Sequence, residues 1–222
     1  MNIAIIPARG GSKRIKNKNF KNFFGRPIIT YSIDLAKKSK LFSEIIVSTD
    51  NKKIMKISKK QGATILFKRP KYLSKDNAPI IDVIAHSIKR LRKLRLKPSN
   101  VCCIFPVSPL IKKNTLKKSL QILKNKRLNY VFPVTKNTHS NQNQLFVSKN
   151  KTLLKNKKEN KFFDAGQFYW GRAKAWENKI EIFSSKSGVI ELNSKKIIDV
   201  NYISDWNRLK TIFKKNAKKR KL

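Results

Sequence analysis

The stretch that most constrains this chain is its beginning: the apolar run Ile3-Ala4-Ile5-Ile6, Pro7, then Ala8-Arg9-Gly10-Gly11-Ser12-Lys13-Arg14, with Lys18-Asn19 close behind. A short apolar strand that runs straight into paired glycines flanked by cations brings backbone N–H groups and positive charge toward a phosphate chain. Glycine permits backbone angles and a closeness of approach that a Cβ forbids. The stretch reads as a triphosphate cradle, with charge from Arg9 and Lys13 and with the amides of Gly10, Gly11 and Ser12 beside them. Its spacing matches neither Walker A nor G-x-G-x-x-G, so on these residues alone a plain glycine-rich turn between strand and helix competes with the cradle.

Beyond it, strand-like and helix-like periods alternate. This predicts an α/β chain with a Rossmann-like, mostly parallel sheet and helices on both faces. Pro27 opens a helix with Ile29, Ile33 and Ala36 on one side. Residues 45–47 form a strand, Asp50 caps the next helix through Ile54 and Ile57, and Gly62 stops it. Residues 63–67 form a third strand. Ile81, Ile84, Ile88 and Leu91 mark a long helix, 101–105 a strand, Leu116, Leu120 and Leu123 another helix, and 130–134 a fifth strand. Residues 136–163 turn polar around the strand core Leu145-Phe146-Val147 and make either a peripheral arm or a mobile lid. Residues 197–201 read as a strand, Ser204 as the cap of a last helix with Trp206, Leu209 and Phe213 inward, and 214–222 as a frayed basic tail.

A chain of 222 residues suits one domain with a full core. No apolar run approaches a membrane span, and the start is a strand rather than a basic-then-apolar leader, so a soluble, cytoplasmic protein is expected. The 53 Lys and Arg against 12 Asp and Glu, formally +41, attract polyanions. Because the lysines are scattered over every helix and loop while the strands stay apolar, nucleic-acid binding is expected to be incidental, and a basic nucleic-acid-binding protein without catalysis is the alternative from another class. Cys102 and Cys103 are neighbours on a strand and point to opposite faces. They cannot share a metal and read as buried reduced thiols. His86 and His139 have no companions at ligand spacing.

Several segments, in order, resemble the cytidylyltransferases that activate nonulosonic acids: residues 6–13, Lys18-Asn19, 46–50, Arg69-Pro70 with Leu73-Ser74 and Asp76, 105–109, and Asp199 with Asp205-Trp206. The segment Asp164-Ala-Gly-Gln-Phe-Tyr-Trp-Gly171 is similar to the pseudaminic acid branch in particular. Phe105, where sialic acid members usually carry glutamine, fits that branch too. The resemblance implies the nucleotide-diphospho-sugar transferase fold, a small arm used for dimerisation, and transfer of CMP from CTP to a nonulosonic acid, of the kind used on bacterial surface glycans or flagellin. Sialic, legionaminic or 3-deoxy-octulosonic acid are the alternative acceptors. It implies a CTP site of Ala8, Arg9, Gly10, Gly11, Ser12, Lys13, Asn19, Arg69, Asp76 and Pro106, with Arg9, Lys13, Lys18 and Asp199 catalytic. Ser108, Gln167 and Tyr169 are the sugar contacts, with Gln167 and Tyr169 on the strand face opposite the core residues Phe168 and Trp170. The family holds a divalent cation, Mg²⁺, on two aspartates two apart; here the positions are Asp199 and Asn201, and an amide oxygen is the weaker ligand.

Overall fold

The computed structural model describes residues 1–125, 127–136, 144–148, 150–154 and 161–218. Strand β1 (Asn2–Pro7) alternates Ile3 and Ile5 into one apolar cluster and Ala4 and Ile6 into another, so the opening run is buried on both faces. A small hairpin, β2 (Asn22–Phe23) and β3 (Arg26–Pro27), leads into α1 (Ile29–Ser39). Pro27 therefore ends the hairpin, two residues ahead of the helix. Then come β4 (Glu44–Ser48), α2 (Lys52–Lys60), α3 (Ile80–Lys93), β5 (Asn100–Ile104), α4 (Lys113–Asn125) and β6 (Tyr130–Thr135). The last third holds β7 (Gln144–Val147), β8 (Leu153–Leu154), β9 (Lys161–Asp164), β10 (Phe168–Arg172), α5 (Ala173–Glu177), β11 (Ser187–Glu191) and α6 (Ile203–Lys218).

One sheet runs in the order β4-β1-β5-β10-β6-β9-β7-β8, with β11 parallel to β6. Strands β4, β1 and β5 are parallel neighbours, and β10 lies antiparallel between β5 and β6. Residues of α3 and α5 pack on one face (Ile84, Ile88, Leu91, Trp176) and those of α1, α2 and α4 on the other (Ile33, Ile54, Leu116, Leu120). A third cluster joins Phe23, Ile28, Ile198 and Val200 to Trp206 and Leu209 of α6. Cys102 and Cys103 go to opposite faces of β5, both fully buried and free. Burial pushes both thiols up in pKa.

Several expected elements differ. Residues 63–67 form no strand: Thr64 and Lys68 make single bridges to Ile46 and Thr49, while Ile65 and Phe67 leave for opposite apolar clusters. The cap of α2 is Asn51, whose Oδ1 accepts from the N–H groups of Lys53 and Ile54, not Asp50. Residues 197–201 form no strand: side chains rather than a neighbouring strand take the carbonyls of Ile198 and Val200, Gln167 Nε2 donating to the first and Lys18 Nζ to the second. Ser204 does not cap α6. Asp205 in its first turn accepts from the N–H groups of Asn201 and Tyr202, both at 2.8 Å. The helix continues through Lys218, so only 219–222 of the expected tail lie outside the described residues. The arm or lid expected over 136–163 lies partly outside them as well, as does His139; its described parts are β7, β8 and β9, which extend the sheet. No helix among the described residues is long and apolar enough to cross a membrane.

Candidate active site

A cavity of about 570 Å³ opens beyond the carboxyl ends of β1 and β5, where an open α/β sheet offers its crevice. Its wall includes Arg9, Ser12, Lys13, Lys18, Asn19, Arg69, Asp76, Pro106, Tyr169, Asp199 and Asn201, so residues from both ends of the chain meet in one space.

The cradle is braced from behind. Gly10 donates its N–H to Asp50 Oδ1 at 2.8 Å, and Ser12 donates to the Gly10 carbonyl. A Cβ on Gly10 would lie 2.7 Å from Asn51 Nδ2 and 2.9 Å from its Cβ, so this glycine is required by the close approach of the α2 cap. Two of the three amides assigned to phosphate thus already have protein partners, a correction to the expected cradle, and neither Gly10 nor Gly11 lines the cavity. Ala8 is fully buried behind it, its N–H on the Ser48 carbonyl. What the loop presents is mainly charge. Arg9 donates to the Gly11 carbonyl at 2.8 Å and pairs with Asp76, and Lys13 reaches the other oxygen of Asp76 at 3.4 Å. These cations, the Arg9 hydrogen bond first, hold the Asp76 carboxyl below its usual pKa.

Asn19, buried, donates to the Arg9 carbonyl at 2.9 Å and fixes the far end of the loop. Lys18 Nζ donates to the Val200 carbonyl at 2.7 Å. Burial lowers its pKa and the neighbouring Asp199 pulls the other way. Arg69 is buried, with Nε on Ser48 Oγ at 3.1 Å and its guanidinium also on the Ser48 carbonyl. Desolvation brings it down to about 10. Ser48 is thus the scaffold for Arg69, and Asp50, expected to cap the next helix, is the scaffold for Gly10.

The opposite wall comes from the aromatic stretch. Phe168 and Trp170 pack inward as expected, Trp170 stacked on Phe42 with ring centroids 5.1 Å apart. Tyr169 faces the cavity among Phe105, Phe132 and Phe183, and its hydroxyl donates to Asp164. Gln167 does not face the cavity: it is buried and donates to the Ala165 and Ile198 carbonyls at 2.8 and 3.0 Å. Ser108 is buried too, its Oγ donating to the Gln167 carbonyl at 3.1 Å. Both residues, expected as sugar contacts, hold the wall from behind. The reason is Gly166 at φ +59°, which interrupts the strand between β9 and β10 so that alternation does not carry through Gln167. An ideal Cβ on Gly166 would lie 2.7 Å from Asp199 Cγ, so the interruption also seats that carboxylate.

Asp199 and Asn201 sit side by side, Asn201 Nδ2 donating to Asp199 Oδ2 at 2.7 Å. Among the described residues no group of three or more His, Cys, Asp or Glu side chains could hold a metal. Sequence reasoning missed Asp164, whose carboxyl is pushed up to about 6, by desolvation foremost and by Asp199 in addition, against hydrogen bonds from Tyr169 and Gly166 that lower it. It missed Arg14 and Lys75 in the wall as well. The available signal was scarcity: five of the twelve acidic residues, Asp50, Asp76, Asp164, Asp199 and Asp205, line or brace this one cavity.

The chain is 33% identical over 225 residues to a pseudaminic acid cytidylyltransferase of Campylobacter jejuni subsp. jejuni, covering 97% of both chains. It is 32% identical over 122 residues to a CMP-N,N'-diacetyllegionaminic acid synthase of Legionella pneumophila, covering 55% of this chain and 53% of that one. Its fold matches the CTP complex of CMP:2-keto-3-deoxy-manno-octonic acid synthetase with a TM-score of 0.78 at 14% identity, over 97% of this chain and 99% of the other. With the cytidylyltransferase family model matching residues 3–219, this chain belongs to the cytidylyltransferase family.

Proposed function

We propose that the protein transfers CMP from CTP to a nonulosonic acid, pseudaminic acid before others, with release of pyrophosphate. The observation that carries this reading is that Arg9 and Asp199, 190 positions apart in the chain, line one cavity together with Lys13, Lys18 and Arg69. Full-length similarity to a pseudaminic acid cytidylyltransferase, and Phe105 packed on Tyr169 at 5.4 Å, support that acceptor.

The acid's anomeric hydroxyl attacks the α-phosphorus. The new O–P bond forms as the bond to the β-phosphate bridging oxygen breaks, and the hydroxyl proton leaves to solvent or buffer. The protein's task in such a displacement is positioning and charge compensation. Arg9 and Lys13 exchange Asp76 for the triphosphate, Lys18 stands by the α-phosphate, and Arg69, held by Ser48, meets the cytidine. Asp199 with the amide oxygen of Asn201 offers oxygen donors suited to a hard cation that keeps water and phosphate in its shell. Bound there, Mg²⁺ supplies charge neutralisation on the phosphoryl oxygens. The same reading includes a cytoplasmic homodimer. Its support is that, among the described residues, the main strand path ends at β8, and light scattering tests it.

The test is a pyrophosphate-release assay with CTP and a panel of pseudaminic, legionaminic, sialic and 3-deoxy-octulosonic acids. Turnover should be highest with pseudaminic acid, and Arg9→Ala and Asp199→Ala should each lower kcat/KM roughly hundredfold or more. No turnover with any acid, alongside tight salt-resistant RNA binding, would overturn the reading.

A further inference from the structure

We infer that Asp164 turns the aromatic wall of the cavity into a surface that only accepts hydrogen bonds, and that this surface selects acids presenting N–H donors. The inference rests on the acceptor class proposed above and names the group that reads it.

Asp164 ends β9 and lines the cavity beside Tyr169. Its Oδ1 accepts from the Gly166 N–H at 3.1 Å and its Oδ2 from the Tyr169 hydroxyl. The Tyr169 ring is held edge-on by Phe105, Phe132 and Phe183, with centroids 5.4, 5.6 and 6.4 Å away, so the hydroxyl stays where Asp164 holds it. A phenol has one proton. With that proton committed to a carboxylate, the oxygen shows a ligand only lone pairs, and the carboxylate's remaining lone pairs do the same. Neither Asp164 nor Tyr169 then donates to a ligand.

Charge then sets the orientation. Asp164 and Asp199 make one side of the cavity anionic, while Arg14 and Lys75, which the proposed reaction does not assign to CTP, are cationic elements of its wall. The carboxylate of an incoming acid is repelled from Asp164 and drawn to the cations, which leaves its donor-bearing carbons toward Asp164 and Tyr169. An acylamino N–H can only donate and suits this surface in one way. A hydroxyl suits it too, but it can also reverse its role.

That difference makes the inference testable. In Asp164→Asn the amide oxygen can keep the Gly166 N–H while Nδ2 donates to the Tyr169 oxygen, which frees the tyrosine proton to point at the ligand. The wall becomes a donor. Nδ2 then takes one tyrosine lone pair and the freed proton stands toward the ligand, so an N–H meets a donor where it had met an acceptor, whereas a hydroxyl turns round and accepts. Initial rates with CTP are measured for pseudaminic acid, which carries acylamino groups, and for 3-deoxy-octulosonic acid, which carries hydroxyls and no N–H. The second acid is followed as substrate or as competitive inhibitor. Asp164→Asn should raise the KM for pseudaminic acid roughly ten- to hundredfold with the KM for CTP unchanged, and should leave the hydroxyl-only acid far less affected. Tyr169→Phe, which removes one acceptor and keeps the carboxylate, should weaken pseudaminic acid by a smaller factor, and it serves should the asparagine variant fail to fold. Equal losses for both acids, or a shift in the CTP KM in place of the sugar KM, would overturn the inference while leaving the proposed reaction intact. A wild-type enzyme inactive toward every acid would sink the reaction first, before any variant is compared.

Discussion

Asp164 also makes a quantitative prediction about stability. Its carboxyl rises from 3.8 in the free side chain to about 6 in the folded protein, mainly because the cavity wall withdraws it from water. A displacement of about two on the pH scale corresponds to roughly 3 kcal/mol. The sign is opposite to that of a salt-bridged aspartate, since here the folded state holds the proton more tightly than the unfolded state. Below about pH 4 both states are protonated and the group is neutral to folding. Between about 4 and 6 the unfolded chain ionises first and the fold loses ground, and above 6 the whole penalty is present. Asparagine has no proton to release. Asp164→Asn should therefore stabilise the ligand-free protein at pH 7.5 by up to about 3 kcal/mol, a rise of several degrees in Tm for a chain this long, and the advantage should vanish toward pH 4. Urea unfolding of both proteins at the two pH values measures it. An asparagine variant that is no more stable at pH 7.5, or whose advantage is the same at pH 4, would show that the carboxylate is not desolvated as the wall implies. The predicted gain in stability with loss of sugar affinity is the pattern of a charge kept for function.

Asp76→Asn should lower the inhibition constant of pyrophosphate, which has no base to recognise, because Arg9 and Lys13 no longer have to be taken from a carboxylate; an unchanged or raised constant would mean the pairing does not compete with phosphate. Asn201→Asp should lower the Mg²⁺ concentration for half-maximal rate and destabilise the metal-free protein by placing a second carboxylate against Asp199, both read in one titration of rate and Tm. Gly166→Ala should cost about 1–2 kcal/mol for a side chain at φ +59° and, by pushing on Asp199, should lower kcat more than the melting shift explains. Arg69→Ala should cost about 2–4 kcal/mol from the buried space and the loss of the Arg69 bond to the buried Ser48 hydroxyl, and should abolish CTP binding measured by calorimetry.

The fold was legible where side-chain period and backbone agree. The Ile3 to Ile6 run alternates between two cores, and Ile84, Ile88 and Leu91 share the buried stripe of α3. Legibility failed where a side chain does the work of a strand. Residues 197–201 look like a strand by composition, yet Gln167 and Lys18 take the carbonyls that a ladder would use. Parity counted back from Tyr169 puts Gln167 on the cavity face, and parity does not survive a left-handed glycine one residue earlier. Asp50 and Asn51 are both competent caps, and sequence cannot tell that Gly10, forty residues away, takes the first. Asp164 was in view within an aromatic motif, but its meaning lies in the hydroxyl it restrains, five residues on.

The antiparallel insertion of β10 bears on how the protein is made. Translation delivers β1, β4, β5 and β6 before residues 168–172 exist, so the emerging chain carries two strand edges that must stay apart until the piece between them arrives. Unpaired edges of this kind invite pairing with other chains. The dense lysine surface gives the half-made sheet a like-charged coat against neighbours on the same message, and the catalytic corner closes only when the keystone strand has been synthesised.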